Sequence, residues 1–330
     1  MWLESVARKK PAMSSPIETI NLDKTDSWRP KLHTEGYVVI PNVLSQSEVD
    51  QALSFTWDWL ESLGSGISKS DPSTWQDKNW PGDLKSGIVT TCRAAQQAAA
   101  WFVRGSSRVQ QAFSAVWGEE QLITSMDCVI MWRPWLVEGA EGWRPVTEGL
   151  HIDQNPFNKS GLQCVQGMVP LCKVTKDIGG LQVVPRSHKE YVQDIIRRDH
   201  PEHKHSGDFC KVNPDNYKGA EALLEANAGD LILWDSRLIH GGTVGSASIS
   251  KDEKESDENL ARCAVTVCMV PQDWASQEVR DRRRQAWETG QGLTHWPHEF
   301  YPHDFTNTDG KNIHWSYKQV ELSQEQRELL

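Results

Sequence analysis

No Cys-x-x-Cys pair occurs among the seven cysteines (92, 128, 164, 172, 210, 263 and 268), and their number is odd. That argues against a thiolate zinc site and against a disulfide scaffold, and it leads to the expectation of a reducing, intracellular and cytoplasmic setting. No apolar run approaches the ~20 residues that span a bilayer. The stretch from Met1 to Lys10 is basic with no apolar core behind it, and Glu328-Leu329-Leu330 is not a Ser-Lys-Leu end, so neither a secretory nor a peroxisomal signal is expected. Positive charge is also in deficit: 35 Lys and Arg stand against 45 Asp and Glu, a net charge of -10. Such a chain has no global field for nucleic acid or an anionic membrane, and neither is expected as a partner. No internal repeat is present.

Tryptophan is abundant, with 16 in 330 residues. Most are expected in the core, and Trp132, Trp135 and Trp143 are candidates either for substrate contact or for loop packing. The centre of interest is Glu148 to Asp153, which reads Glu-Gly-Leu-His-Ile-Asp. On an extended strand, residues two apart share a face, so His151 and Asp153 would bring an imidazole and a carboxylate to one point. A third ligand is available in His240, at the end of the run Gly229 to His240. Two His and one Asp form the facial triad of non-haem Fe(II) sites, which leaves coordination positions open.

The flanking pattern is mostly extended. After a loose lead-in over residues 1–35, a short strand is expected at Tyr37-Ile40. Ser45-x-x-Glu48 is a capping box opening an amphipathic helix to Gly64. Residues 64–91 read as a long loop and candidate lid. Helices are expected over 94–103 and 107–117, and strands over 121–132, 163–171, 180–184, 229–234, 238–244 and 262–270. Residues 190–220 read as a polar insertion, 246–258 as a charged exposed loop, and 276–288 as a charged helix whose Arg280, Arg282, Arg283 and Arg284 cover a solvated face. Many short strands imply an antiparallel mainly β architecture, a jelly roll of the cupin type with flanking α-helices. One domain is expected, with a mainly helical part over 36–120, a β core over 121–270 and a C-terminal helix and tail over 271–330.

Several ordered pieces resemble the phytanoyl-CoA dioxygenase family of Fe(II)- and 2-oxoglutarate-dependent oxygenases. They are Gly36-Tyr37-Val38-Val39-Ile40-Pro41-Asn42-Val43-Leu44, His151-Ile152-Asp153, the run Gly179 to Lys189, Gly229-Asp230 with His240-Gly241, and Arg262. The resemblance implies a double-stranded β-helix with His151, Asp153 and His240 as metal ligands, and Arg262 on the far carboxylate of 2-oxoglutarate. A guanidinium suits that role because it binds a carboxylate bidentately and stays charged when desolvated. Two features depart from the family: Arg262 follows His240 by a long gap, and Arg186 stands where the family has Gly.

Thr243, Gln166 and Trp234 are further candidates for the co-substrate pocket. His188 reads as structural, and the His295/His298 pair does not by itself make a zinc site. The expected function is hydroxylation of an unactivated C–H bond in a small organic molecule, possible substrates including large apolar or aromatic ones, with release of succinate and CO2. The other open readings are a cupin-like metalloenzyme that does not use 2-oxoglutarate and a catalytically inactive metal-binding relative.

Overall fold

The computed structural model describes residues 21–135, 140–245, 260–303, 311, 313–314 and 318–330. Among them the strands form two sheets, antiparallel throughout. In chain order the strands are β1 (Tyr37–Ile40), β2 (Ile88–Val89), β3 (Leu122–Thr124), β4 (Val129–Trp132), β5 (His151–Ile152) and β6 (Val165–Pro170). There follow β7 (Gly179–Val183), β8 (Cys210–Lys211), β9 (Ala222–Leu223), β10 (Leu231–Asp235), β11 (His240–Val244) and β12 (Arg262–Pro271). The larger sheet runs β1-β10-β6-β12-β4-β2, with β3 also on β12, and the smaller runs β8-β5-β11-β7-β9. The described helices are α1 (Thr25–Glu35), α2 (Gln46–Ser62), α3 (Ala98–Arg104), α4 (Ser107–Trp117), α5 (Glu190–Asp199), α6 (Gln277–Thr289) and α7 (Gln324–Glu328).

The larger sheet is covered on both faces. Val165, Val169, Leu233, Val265 and Val267 share one core with Trp57 and Leu60 of α2 and Val109 and Phe113 of α4. The alternate residues Met168, Ile232, Trp234 and Ala264 pack with Leu181 and Val183 of β7 in the smaller sheet. Burial on both sides explains why β6, β10 and β12 read as continuous apolar runs rather than alternating ones. The Gly229-Asp230 turn is fixed because Asp230 accepts from the backbone N–H of Asn42 at 2.9 Å and of Asn227 at 2.8 Å.

Several expectations need correction. The strand expected over 121–132 is two strands. Thr124 pairs with Met269 and Val129 with Val265, so five steps on one side face four on the other, and the extra residue breaks the ladder as a bulge does. Part of the lead-in is helical: α1 buries Trp28 and Leu32, one turn apart, despite Pro30 in its interior. Gly36 closes α1 at φ +86, and its N–H donates to the Leu32 carbonyl at 2.9 Å.

The insertion at 190–220 contains α5, which buries Val192 and Ile196 and carries Glu190 in its first turn and Arg197 and Arg198 in its last. The candidate lid is fastened to the body, because Trp75 and Trp80 are buried and Asp77 pairs with Arg133 at 2.7 Å. Arg283 does not lie on a solvated face. It is fully buried and donates to the carbonyls of Thr124, Pro297 and Leu330. Arg186 has φ +68, the left-handed conformation a glycine would take, and its guanidinium grips Glu35 at 2.6 and 3.0 Å. The charged loop expected at 246–258 lies outside the described residues.

Candidate metal centre

β5 and β11 are neighbours in the smaller sheet, with His151 directly opposite His240. Their ring centroids are 4.5 Å apart. Asp153, just past β5, brings Oδ2 to 3.1 Å from His240 Nε2 and Oδ1 to 3.6 Å from His151 Nε2. One ligand atom from each residue lies within 4.8 Å of the others, and the group could hold a metal ion.

The remaining ring nitrogens are tied back. His151 Nδ1 is 2.9 Å from the Gly149 carbonyl, and His240 Nδ1 is 2.8 Å from the Leu238 carbonyl. A carbonyl only accepts, so each Nδ1 donates to its carbonyl and each Nε2 is turned toward Asp153, where it is the atom available to ligate a metal. Burial, with His240 beside it, pushes His151 down to about 4 against the pull of Asp153. Burial alone would raise the Asp153 carboxyl, but His240 and His151 outweigh it and hold that group well below the usual carboxylate range. Metal ligation needs a neutral His151 ring and an ionised Asp153 carboxylate, the directions in which their surroundings push them.

The surroundings follow from strand register. Gln166 of β6 lies opposite Trp234 of β10 and Cys268 of β12, and Met168 lies opposite Ile232 and Thr266. These residues share the face that looks toward the smaller sheet, and Arg262 lies on the same face of β12. Gln166 Nε2 donates to Asp153 Oδ2 at 2.9 Å, so its direct partner is a ligand carboxylate. The Trp234 ring is 5.6 Å from His240, and its Nε1 is buried without a partner. Thr243 is three residues beyond His240 on β11, so strand alternation turns it to the opposite face. The structure therefore does not bring Thr243 to the triad.

Arg262 is 6% exposed. Its guanidinium lies 4.5 Å from the Trp132 ring, with Nη2 3.6 Å from Met168 Sδ. Its Nε has no partner, and among the described residues no carboxylate pairs with it. Burial pushes the group down to about 10. An arginine held dry without an anion is costly to the fold and suited to a carboxylate that arrives from outside.

Two residues near the centre were not marked as such by the sequence. Phe209, 42% exposed, lies 4.6 Å from the His151 ring, and nothing in its local pattern singled it out. His295 has a buried Nε2 with no hydrogen bond. In sequence it stands out only as half of a His pair, and neither His295 nor His298 belongs to a metal-holding group among the described residues. His188 is structural, with Nε2 3.1 Å from the His33 carbonyl. Trp132 supports Arg262, Trp135 packs edge-on against Trp132 at 5.8 Å, and Trp143 lies 4.7 Å from the Arg133 guanidinium.

The family model for phytanoyl-CoA dioxygenase (PhyH) matches residues 32–248, more than half of the chain. The chain belongs to the phytanoyl-CoA dioxygenase family. Its similar relatives include Ava biosynthesis cluster protein O of Aspergillus versicolor, 27% identical over 83% of this chain and 86% of that protein. A putative phytanoyl-CoA dioxygenase of Dictyostelium discoideum is 21% identical over 62% of this chain and 67% of its own length. In fold, the chain is similar to the non-haem α-ketoglutarate-dependent carbocyclase SnoK from nogalamycin biosynthesis, with a TM-score of 0.50 at 17% identity, covering 78% of this chain and 87% of that one. It is also similar to the epimerase SnoN in complex with Fe3+, α-ketoglutarate and nogalamycin RO, with a TM-score of 0.50 at 14% identity, covering 76% of this chain and 84% of that one.

Phytanoyl-CoA dioxygenases use Fe(II) and 2-oxoglutarate, and the residues here fit both. The donor set of two imidazoles and one carboxylate suits Fe(II). The orphaned Nε of Arg262 fits the far carboxylate of a 2-oxo acid. No described helix is long and apolar enough to cross a membrane.

Proposed function

We propose that this phytanoyl-CoA dioxygenase family member is an Fe(II)- and 2-oxoglutarate-dependent oxygenase that hydroxylates an unactivated C–H bond of a small organic molecule, releasing succinate and CO2. His151, Asp153 and His240 hold the metal, and Arg262 anchors the co-substrate. The bound metal and 2-oxoglutarate supply the activation of dioxygen that amino-acid side chains lack. The protein's own residues position and exclude: Gln166 fixes the Asp153 carboxylate, Gly149 and Leu238 orient the imidazoles, and Trp132 and Met168 keep water from Arg262.

The observation that carries this reading is the buried Arg262 guanidinium, which has no carboxylate partner among the described residues and lies on the same inner face as the residues around the triad. A cupin-like metal site with no 2-oxo acid would have no use for it. The order of strands in the two sheets supports a double-stranded β-helix as the architecture, with the chain forming one oxygenase domain. Intact ligands support turnover over an inert metal-binding role, and the Asp153 carboxylate leaves no room for a halide ligand, which favours hydroxylation. A relative named for a biosynthesis cluster supports a biosynthetic intermediate as substrate.

The test is succinate release from 2-oxoglutarate in air, with Fe(II) present or chelated. The proposal expects slow release by the wild-type protein, lost on chelation and in Asp153→Ala. Release that survives Asp153→Ala equally well would refute the assigned ligands.

A further inference from the structure

Three histidines stand in the six residues His200-Pro201-Glu202-His203-Lys204-His205, and none of them belongs to the catalytic triad. Residues Pro201–His205 form a 3-10 helix with His200 at its cap. Such a helix has three residues per turn, so side chains at i and i+3 eclipse one another. That places the His200 and His203 rings face to face, with centroids 5.6 Å apart and planes inclined by 29°. Glu202 brings its Oε1 to 3.0 Å from His200 Nδ1. One ligand atom from each of the three residues lies within 4.8 Å of the others.

The second observation concerns the tautomer of His203. Its Nε2 is 2.8 Å from the Lys211 carbonyl, which only accepts, so the ring proton is on Nε2 and Nδ1 carries a free lone pair. This is the device that orients His151 and His240, applied to the other ring nitrogen: a backbone carbonyl takes the N–H and leaves the opposite nitrogen as a donor to metal. Ser206 Oγ, 3.4 Å from Nδ1, is the nearest competitor and also bonds the His203 carbonyl at 3.1 Å.

The turn is not free to drift. Asn155 Nδ2 donates to the carbonyls of His203 and Gly207, each at 2.8 Å, and Lys211 pairs in register with His151. The cluster is thus braced from both sides against the strand that carries the catalytic histidine.

We propose that His200, Glu202 and His203 form a second divalent-cation site, separate from the catalytic centre, for a zinc-class ion. Two imidazoles and one carboxylate match the donors that zinc accepts, and the ion would replace the hydrogen bond between His200 and Glu202. The Glu202 side chain is 62% exposed, so water completes the coordination. The bound ion clamps residues 200–211, the segment that holds Phe209 against His151.

Isothermal titration of the full chain with Zn(II) tests this, using wild type, Glu202→Gln, His203→Gln, Asp153→Ala and Asp153→Ala/His203→Gln. The proposal expects two equivalents bound by wild type, one by each single variant and none by the double variant, with affinity at the second site falling at least ~100-fold when a ligand is lost. Loss of the catalytic metal reading alone would give one equivalent in wild type and none in Glu202→Gln or His203→Gln. The present proposal is overturned if Asp153→Ala binds no zinc, or if Glu202→Gln and His203→Gln match wild type. Should the double variant fold poorly, thermal unfolding decides. Zn(II) must raise the midpoint of Asp153→Ala and fail to raise that of Asp153→Ala/Glu202→Gln, where the changed side chain at 202 is exposed; an equal rise in both overturns the proposal.

Discussion

Arg262→Met should make the unliganded protein more stable while removing its affinity for 2-oxoglutarate. Burial moves the guanidinium from an ordinary value of 12.5 to about 10, a penalty of about 3 kcal/mol on the charged form. At neutral pH the group is charged in both folded and unfolded chains, so the whole penalty weighs on the fold. Methionine fills similar space without charge, beside Met168 and Trp132. What it loses is the contact of the cation with the Trp132 ring, worth about 1–2 kcal/mol in a desolvated setting. The net is a gain of about 1–2 kcal/mol, or an unfolding midpoint raised by about 1–3 °C for a chain of this size. The same substitution removes a bidentate, desolvated partner for a carboxylate, costing about 3–5 kcal/mol of 2-oxoglutarate binding, a factor of at least ~100. Thermal unfolding without ligand, and then with rising 2-oxoglutarate, reads both effects. A variant destabilised by several kcal/mol would refute the reasoning, because it would mean that Arg262 already has a structural anion.

Three other perturbations follow from the geometry. Gln166→Leu removes the hydrogen bond to Asp153 Oδ2 and should weaken metal binding about 10–100-fold in a Co(II) titration, with little change in unfolding midpoint. His188 is depressed by burial, so the unfolded chain takes up its proton first as pH falls. Its stabilising contribution is present above pH 6.5 and is lost as pH drops below that value, so urea midpoints between pH 7.5 and 5.5 should fall more steeply in wild type than in His188→Gln. Gly36→Ala would force a side chain into φ +86 and against His188 and Leu238, costing about 1–3 kcal/mol in urea unfolding.

The triad was legible because its signal is local. His151 and Asp153 sit two apart, and His240 closes an apolar strand whose direction could be read. The architecture was legible for a related reason: β6, β10 and β12 are buried on both faces, so their runs are apolar enough to stand out. Arg262 could be placed at a strand start, but its lack of an acid partner among the described residues is a property of packing that no spacing carries. Gln166 was marked for the pocket, yet its bond to Asp153 depends on how β6 faces the loop after β5. Thr243 stands at an odd offset from His240 on β11, a matter of strand face that its nearness in sequence does not carry. Helix α1 was hidden by Pro30 and by Lys24, which offers no side-chain cap, while in α5 the pair Val192 and Ile196 was masked by charged neighbours. Arg283 shows the same limit, since a buried arginine that bonds only carbonyls looks like a surface residue on a helical wheel.

The central claim is that this chain binds Fe(II) through His151, Asp153 and His240 and then chelates 2-oxoglutarate anchored by Arg262. An anaerobic titration of the purified protein with Fe(II) and then 2-oxoglutarate reads it directly through the visible metal-to-ligand charge-transfer band of a chelated 2-oxo acid. The account predicts a saturable band in wild type, no band in Asp153→Ala, and a band in Arg262→Met that needs at least ~100-fold more 2-oxoglutarate. Iron bound by wild type with no band at any 2-oxoglutarate concentration would contradict it.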